Sequence, residues 1–118
     1  MLLDELEYGR WLEAARRTLE SAGGDLGRGD YDWACFKAQQ AAELAVKGLL
    51  HGVGAHAYGH SVALLLERAG EALGLAVPGD VLECGKLLGK YYIPTATRMP
   101  GPRERPTIIT LRGRRARP

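Results

Sequence analysis

Three histidines, two cysteines and a short polar strip on an otherwise apolar segment are the residues of this chain that could do chemistry. His56 and His60 stand four apart, a spacing that on a helix aligns two imidazoles on one metal ion. Gly59 and the glycine-containing connection 51–59 put them in a loop instead, with no cysteine pair nearby. They read as solvated loop histidines, and no metal site is expected. Cys35 and Cys84 are too few for a disulfide framework, and each lies within an apolar pattern, so both read as small reduced core residues. The run Gly79 to Leu87 superficially resembles a phosphate-cradling loop. It has one residue too many between its glycines and a leucine where a magnesium-binding hydroxyl is needed. No Ser-His-Asp or Cys-His arrangement has a supporting local motif, so the reading names no catalytic residue and no cofactor. Tyr31, Trp33, Tyr91 and Tyr92 flank helix ends and read as packing residues. What is left is the strip Lys37, Gln40, Glu43 and Lys47, at steps of three and four.

The elements that must position these residues are helices. From Asp4 to Leu26 the positions Trp11, Ala15, Leu19, Ala22 and Leu26 follow helical spacing, with Asp4 as N-cap and Glu5 and Glu7 suiting the positive end of the dipole. A kink or early stop is expected at Gly23-Gly24, since each glycine costs up to about 1 kcal/mol in a helix interior. Asp30 is placed to cap a second helix, Tyr31 to about Leu50. Its Ala34, Cys35, Ala38, Ala41, Ala42, Ala45, Val46 and Leu49 leave only the polar strip uncovered. A helix so apolar around its circumference is packed on several sides, which makes it central. Ser61 opens a third helix with the stripe Val62, Leu65, Leu66, Ala69 and Leu73, ended by Gly74. Pro78 and Asp80 open a fourth, with the stripe Val81, Cys84, Leu88 and Tyr91, stopped by Pro94 after Tyr92. Before the tail, no period-two run is long enough for a strand. The fold class expected is all-α, an antiparallel up-and-down bundle of four helices with an irregular C-terminal tail.

Composition agrees with one domain. The 118 residues are 46% hydrophobic and 25% charged, ordinary for a globular chain. No apolar run approaches the roughly 18 residues of a membrane span, and no signal pattern opens the chain, so the expectation is a cytoplasmic protein without a membrane partner. Asn is absent and Arg outnumbers Lys twelve to four, compatible with a heat-adapted source. The net charge of +2 conceals a division. Residues 1–93 carry nine basic and thirteen acidic side chains, a net −4, whereas 94–118 carry seven arginines and Glu104, a net +6. Five of six prolines also follow residue 93. The expected organisation is a bundle over 1–95 and a basic Pro/Arg-rich tail over 96–118.

The run Gly29-Asp30-Tyr31-Asp32-Trp33-Ala34-Cys35-Phe36-Lys37-Ala38-Gln39-Gln40-Ala41-Ala42-Glu43, continuing to Lys47-Gly48-Leu49-Leu50, resembles the second helix of HEPN domains, the higher eukaryote and prokaryote nucleotide-binding family. Gly59-His60-Ser61 and Tyr91-Tyr92-Ile93-Pro94-Thr95 occur at the family's places for opening the third helix and closing the fourth. The resemblance covers 4–95. It implies a helical bundle that commonly forms a homodimer, often encoded beside a minimal nucleotidyltransferase in pairs that frequently act as toxin–antitoxin modules. Many members are metal-independent ribonucleases whose signature is Arg, four to six residues, then His. In the signature the arginine stabilises phosphate charge and the histidine transfers protons. None of His51, His56 and His60 has an arginine five to seven positions upstream, and eight of twelve arginines follow the last histidine. The departure argues against an enzyme.

The function expected is therefore a non-catalytic HEPN module that binds a nucleotide or a nucleotidyltransferase partner. Lys37, Gln40 and Lys47 are its polar contacts, with Tyr31 and Tyr92 nearby. A second possibility is a ribonuclease built on His60 and an arginine brought close by folding or dimerisation. A third is nucleic-acid binding through Arg98, Arg103, Arg105, Arg112, Arg114, Arg115 and Arg117, which any polyanion would satisfy.

The tail itself departs from the resemblance. HEPN chains of this kind normally continue from Ile-Pro-Thr with Arg-Tyr-Pro-Asp, an acidic tyrosine-containing loop and a final helix; Ala96 to Pro118 has no such stripe. Ala96 requires a codon beginning GC, Thr97 one beginning AC, Met99 is ATG, and Gly101 begins GG. Read one nucleotide earlier, these letters permit RYPDAWPEGEAHDYYTE over the same stretch. A frameshift near Thr95-Ala96, in the gene or its sequencing, is the reading this supports. It predicts exposed apolar surface where a last helix would otherwise pack.

Overall fold

The computed structural model describes residues 2–92. It contains four helices in the expected order: α1 Glu5–Gly27, α2 Tyr31–Gly52, α3 Val62–Leu73 and α4 Gly79–Leu88. A single 3-10 turn, Gly89–Tyr91, follows α4 directly. Among the described residues there is no strand, and no helix is long and apolar enough to cross a membrane. The anticipated tail, 96–118, lies outside the described residues.

Residues 28–30 join α1 to α2, and so short a link makes the two long helices antiparallel neighbours. Their seam is built from small side chains: Ala15 and Ala22 of α1 and Ala34 and Ala41 of α2 are buried. At Gly48 of α2 a Cβ would run into the Cβ of Trp11, so the helices approach as closely as only glycine permits. Trp11 lies flat on His51, ring centroids 4.7 Å apart. α2 also meets α3, α4 and the 3-10 turn, as its nearly all-round apolar surface requires. The apolar centre is Leu50, Leu65 and Ala69, flanked by Val46, Leu49, Ala55, Ala57 and Ala72. Burying Leu50 and Leu65 contributes about 2 kcal/mol each.

Several local expectations are met. The Asp4 side chain accepts from the Glu7 N–H at 3.0 Å, and the Ser61 hydroxyl accepts from the Leu64 N–H at 3.2 Å. Gly74 ends α3 with φ 69°, a left-handed position suited to glycine.

Others are corrected. α1 passes through Gly23-Gly24 without stopping and ends at Gly27. Ala22 and Asp25, on either side of the pair, are buried, so packing on α2 overrides the local propensity. The packed face of α1 also differs from the stripe. Trp11, Ala15, Thr18, Ala22 and Asp25, alternating steps of four and three, face inward, whereas Leu19 and Leu26 are 57% and 58% exposed. Asp30 occupies the N-cap position of α2 but makes no side-chain cap bond; its carboxylate lies 3.8 Å from the Arg28 guanidinium.

In α4 the inward positions are Leu82, Gly85 and Leu88, while Val81 and Cys84 are exposed. Close packing rotates the helix by one residue, because Gly85 is the side that fits against Ala63 and Leu66 of α3, with only 3.2 Å from an added Cβ to the Ala63 nitrogen. Neither cysteine is a core residue: Cys84 is exposed and Cys35 half-buried. α4 itself ends at Leu88, short of Tyr92.

Candidate functional site

One polar cluster sits where α2, the turn before α3 and the end of the 3-10 turn converge. Gln39, Gln40, Glu43 and Lys47 come from neighbouring turns of α2, His60 precedes the α3 cap, and Tyr92 follows the 3-10 turn. Glu43 is the hub. Its side chain is only 7% exposed, and its Oε2 meets Lys47 Nζ at 2.8 Å and His60 Nδ1 at 2.9 Å. Its Oε1 accepts from Gln39 Nε2 and Gln40 Nε2, both at 3.2 Å. Gln39, fully buried, also donates from Nε2 to the His60 carbonyl at 3.0 Å, and its Oε1 accepts from Gln40 Nε2 at 2.6 Å. The network ties the α2–α3 connection to α2 with each oxygen of the carboxylate bonded twice.

Burial alone would raise the Glu43 pKa, because an isolated carboxylate loses its hydration. Hydrogen bonds from Lys47, His60 and Gln39 and the charge of Lys47 outweigh that cost and hold it below its ordinary value of 4.5. Glu43 is therefore ionised at neutral pH and already has its counter-charge. The His60 ring is stacked on Tyr92, centroids 4.4 Å apart and planes 14° from parallel, yet its side chain remains 46% exposed. A buried base thus presents a half-open imidazole.

Of the five contacts expected from sequence, Gln40, Lys47 and Tyr92 gather here. Lys37 does not. It donates to Ser21 Oγ at 2.8 Å and lies 2.8 Å from Asp25 Oδ2, fastening α2 to α1. Asp25 also binds Arg28 at 2.5 Å; burial pushes its pKa up, but the two cations overcome this and lower it from 3.8. Tyr31 opens α2, nine residues before Gln40 and so about 14 Å away along the axis.

Sequence reasoning missed Gln39, placed His60 only in the ribonuclease alternative, and saw Glu43 as one member of the polar strip. The solvated reading of the two loop histidines fits His56, which is exposed beside the Tyr58 ring, centroids 6.3 Å apart. It does not fit His60, which turns onto Glu43. The two face different groups, and among the described residues no cluster of three or more potential ligands could hold a metal. A signal for Gln39 exists in the sequence. It is a glutamine off the polar strip, beside Ala38 on an apolar face, where a polar group must find buried partners.

A second surface feature is an open apolar groove of about 410 Å³ between α1 and α2, walled by Leu12, Leu19, Ala38, Ala41, Ala45 and Leu88. Arg16 alone brings charge to its lining.

Comparison with known proteins agrees with this architecture. The HEPN domain model matches residues 8–105. The crystal structure of TT1696 from Thermus thermophilus is similar at 53% sequence identity and a TM-score of 0.69, the match covering 75% of this chain and 68% of that one. No curated protein matches. With most of its length matched by the family model and its helices in the expected order, the chain belongs to the HEPN domain family.

Proposed function

We propose that this HEPN protein is a non-catalytic module that binds a nucleotide at the Glu43 cluster, alone or together with a minimal nucleotidyltransferase partner, in a toxin–antitoxin type of pair. The observation that carries the reading is the convergence of Gln40, Lys47 and His60 on one buried carboxylate, with Tyr92 stacked on His60, on a helix otherwise given over to packing. A half-open imidazole stacked on a tyrosine beside such a hub offers a nucleotide both a flat ring face and polar contacts. Calorimetry with ATP and GTP at high protein concentration tests it. Saturable heat that disappears in a Lys47→Met, Tyr92→Ala double variant is expected. No heat and no thermal shift with either nucleotide would leave only the protein-partner version.

The groove between α1 and α2, apolar throughout its lining but for Arg16, supports association with a second copy or a partner. Sedimentation showing only monomer at high concentration would count against the homodimer. The frameshift reading of residues 96–118 expects apolar surface left exposed on the bundle, and resequencing the locus decides that proposal.

The ribonuclease alternative gains one observation, the Glu43–His60 pair. Among the described residues no arginine is bonded to His60, and Arg68 donates to the Tyr58 carbonyl at 2.8 Å. Incubation with tRNA, beside a His60→Ala control, is expected to show no cleavage that depends on His60.

A further inference from the structure

The connection between α2 and α3 carries a row of rings. Its residues 55–58 alternate: Ala55 and Ala57 pack on the core of Leu50, Leu65 and Ala69, while His56 and Tyr58 are exposed. His60 follows after Gly59, whose φ of 93° bends the chain between the last two rings. Tyr58 is 62% exposed, yet its ring and its backbone are both held. The Arg68 guanidinium lies over the ring, 4.3 Å from the centroid, and Arg68 Nη1 donates to the carbonyl of the same residue at 2.8 Å. Two residues on, the connection is fastened again. Gln39 Nε2 donates to the His60 carbonyl at 3.0 Å, and the His60 ring is held by Glu43 and Tyr92. His56 does not lie flat on Tyr58: the two ring planes are 58° apart, with centroids separated by 6.3 Å.

A large ring left at the surface forgoes the area it could bury, and here a cation rather than core packing sets its plane. A ring already held in one orientation gives up little freedom when a second flat ring settles on it. Nucleic-acid bases stack on such rings whatever their sequence, because every base has a π-face. Tyr58 and His60 are two residues apart, a reach of at most about 7 Å along the chain, which one sugar-phosphate unit can bridge. Resting on the reading that a nucleotide binds at the Glu43 cluster, we propose that Tyr58 is a second base platform beside it. The site then takes two successive bases of a single-stranded oligonucleotide, one on His60 and its neighbour on Tyr58, rather than a lone nucleotide. Bases in a duplex are stacked on one another and offer no free face. The selection is also distinct from attraction to the arginines after residue 97, which responds to phosphate charge and not to bases.

Titration of the full chain with AMP and with the dinucleotide ApA, followed by calorimetry and amide chemical shifts, separates the two effects. ApA carries a single phosphodiester charge, less than the phosphate of AMP, so the arginine tail favours AMP whereas a second platform favours ApA. Expected is ApA tighter than AMP by about five- to a hundredfold, the worth of one stacked base, with shifts at Tyr58 and Arg68 that AMP does not produce. Tyr58→Ala should bind ApA no better than AMP, and Tyr58→Phe should keep the advantage, since stacking needs the ring and not the hydroxyl. Tyr58 is exposed, so both variants should fold, which a thermal melt checks. ApA no tighter than AMP, an advantage that survives Tyr58→Ala, or one lost in Tyr58→Phe would each overturn the inference. Where AMP still shifts Gln40, Glu43, Lys47 and His60, the reading of a nucleotide at the cluster stands without it. Binding of neither AMP nor ApA would overturn the inference, and absence of ATP binding as well would overturn both.

Discussion

Replacing Glu43 by Gln keeps the shape of the hub and removes its charge. Lys47, 15% exposed, would lose its ion-pair partner at 2.8 Å, and the new amide NH₂ would face the Nζ, the His60 N–H or the two glutamine donors, depending on its orientation. Breaking a fully buried ion pair by removing one partner costs about 3–5 kcal/mol. The partial exposure of Lys47 and the retained amide oxygen reduce this, so a loss of about 2–3 kcal/mol at pH 7 is expected. For a domain of this size that lowers Tm by roughly 10–20 °C.

The pH dependence carries a sign. The Glu43 pKa is lower in the folded protein than its ordinary 4.5, so the unfolded chain binds the proton first. The stabilisation is fully present above that ordinary value and is lost as pH falls through the folded value. Urea unfolding followed by tryptophan fluorescence at a series of pH values should show the gap between wild type and Glu43→Gln close in acid. A variant as stable as the wild type at pH 7, or a gap that does not narrow in acid, would refute the hub's role.

Lys37→Met should cost about 1–2 kcal/mol, since Asp25 is buried and keeps only Arg28, and its acid unfolding should begin at a higher pH than in the wild type, because the lowered Asp25 pKa is partly restored. The same variant should bind nucleotide as well as the wild type, which calorimetry checks. Gly48→Ala should destabilise by about 2 kcal/mol despite the better helix propensity of alanine, because its methyl would have to displace the Trp11 Cβ; loss of the near-ultraviolet tryptophan signal in denaturation curves reports it. Truncation after Thr95 should abolish salt-sensitive binding to polyanions while leaving the bundle folded, as a cooperative thermal melt checks.

The helices were legible because apolar periodicity and capping residues are local signals: Asp4, Ser61 and Gly74 act where their types say they should. The errors share a physical cause. Leu19 and Leu26 look like core by type, but their exposure depends on how α1 meets α2, which the chain reveals only through the small residues at the seam. Gly85 and Gly48 set close approaches, so the buried faces of their helices are marked by what is missing from the side chain. Half of the site was equally legible. Gln40, Glu43 and Lys47 share a helical strip, but His60, 17 residues beyond Glu43, and Tyr92, stacked on it, complete the site by a closure that only the fold supplies.

The central claim is that a nucleotide occupies the Glu43 cluster, and amide chemical-shift mapping of the ¹⁵N-labelled protein titrated with ATP tests it most directly. Shifts concentrated on Gln39, Gln40, Glu43, Lys47, His60 and Tyr92 are the result this account predicts. Shifts confined to the arginines after residue 97, or none at all, would contradict it.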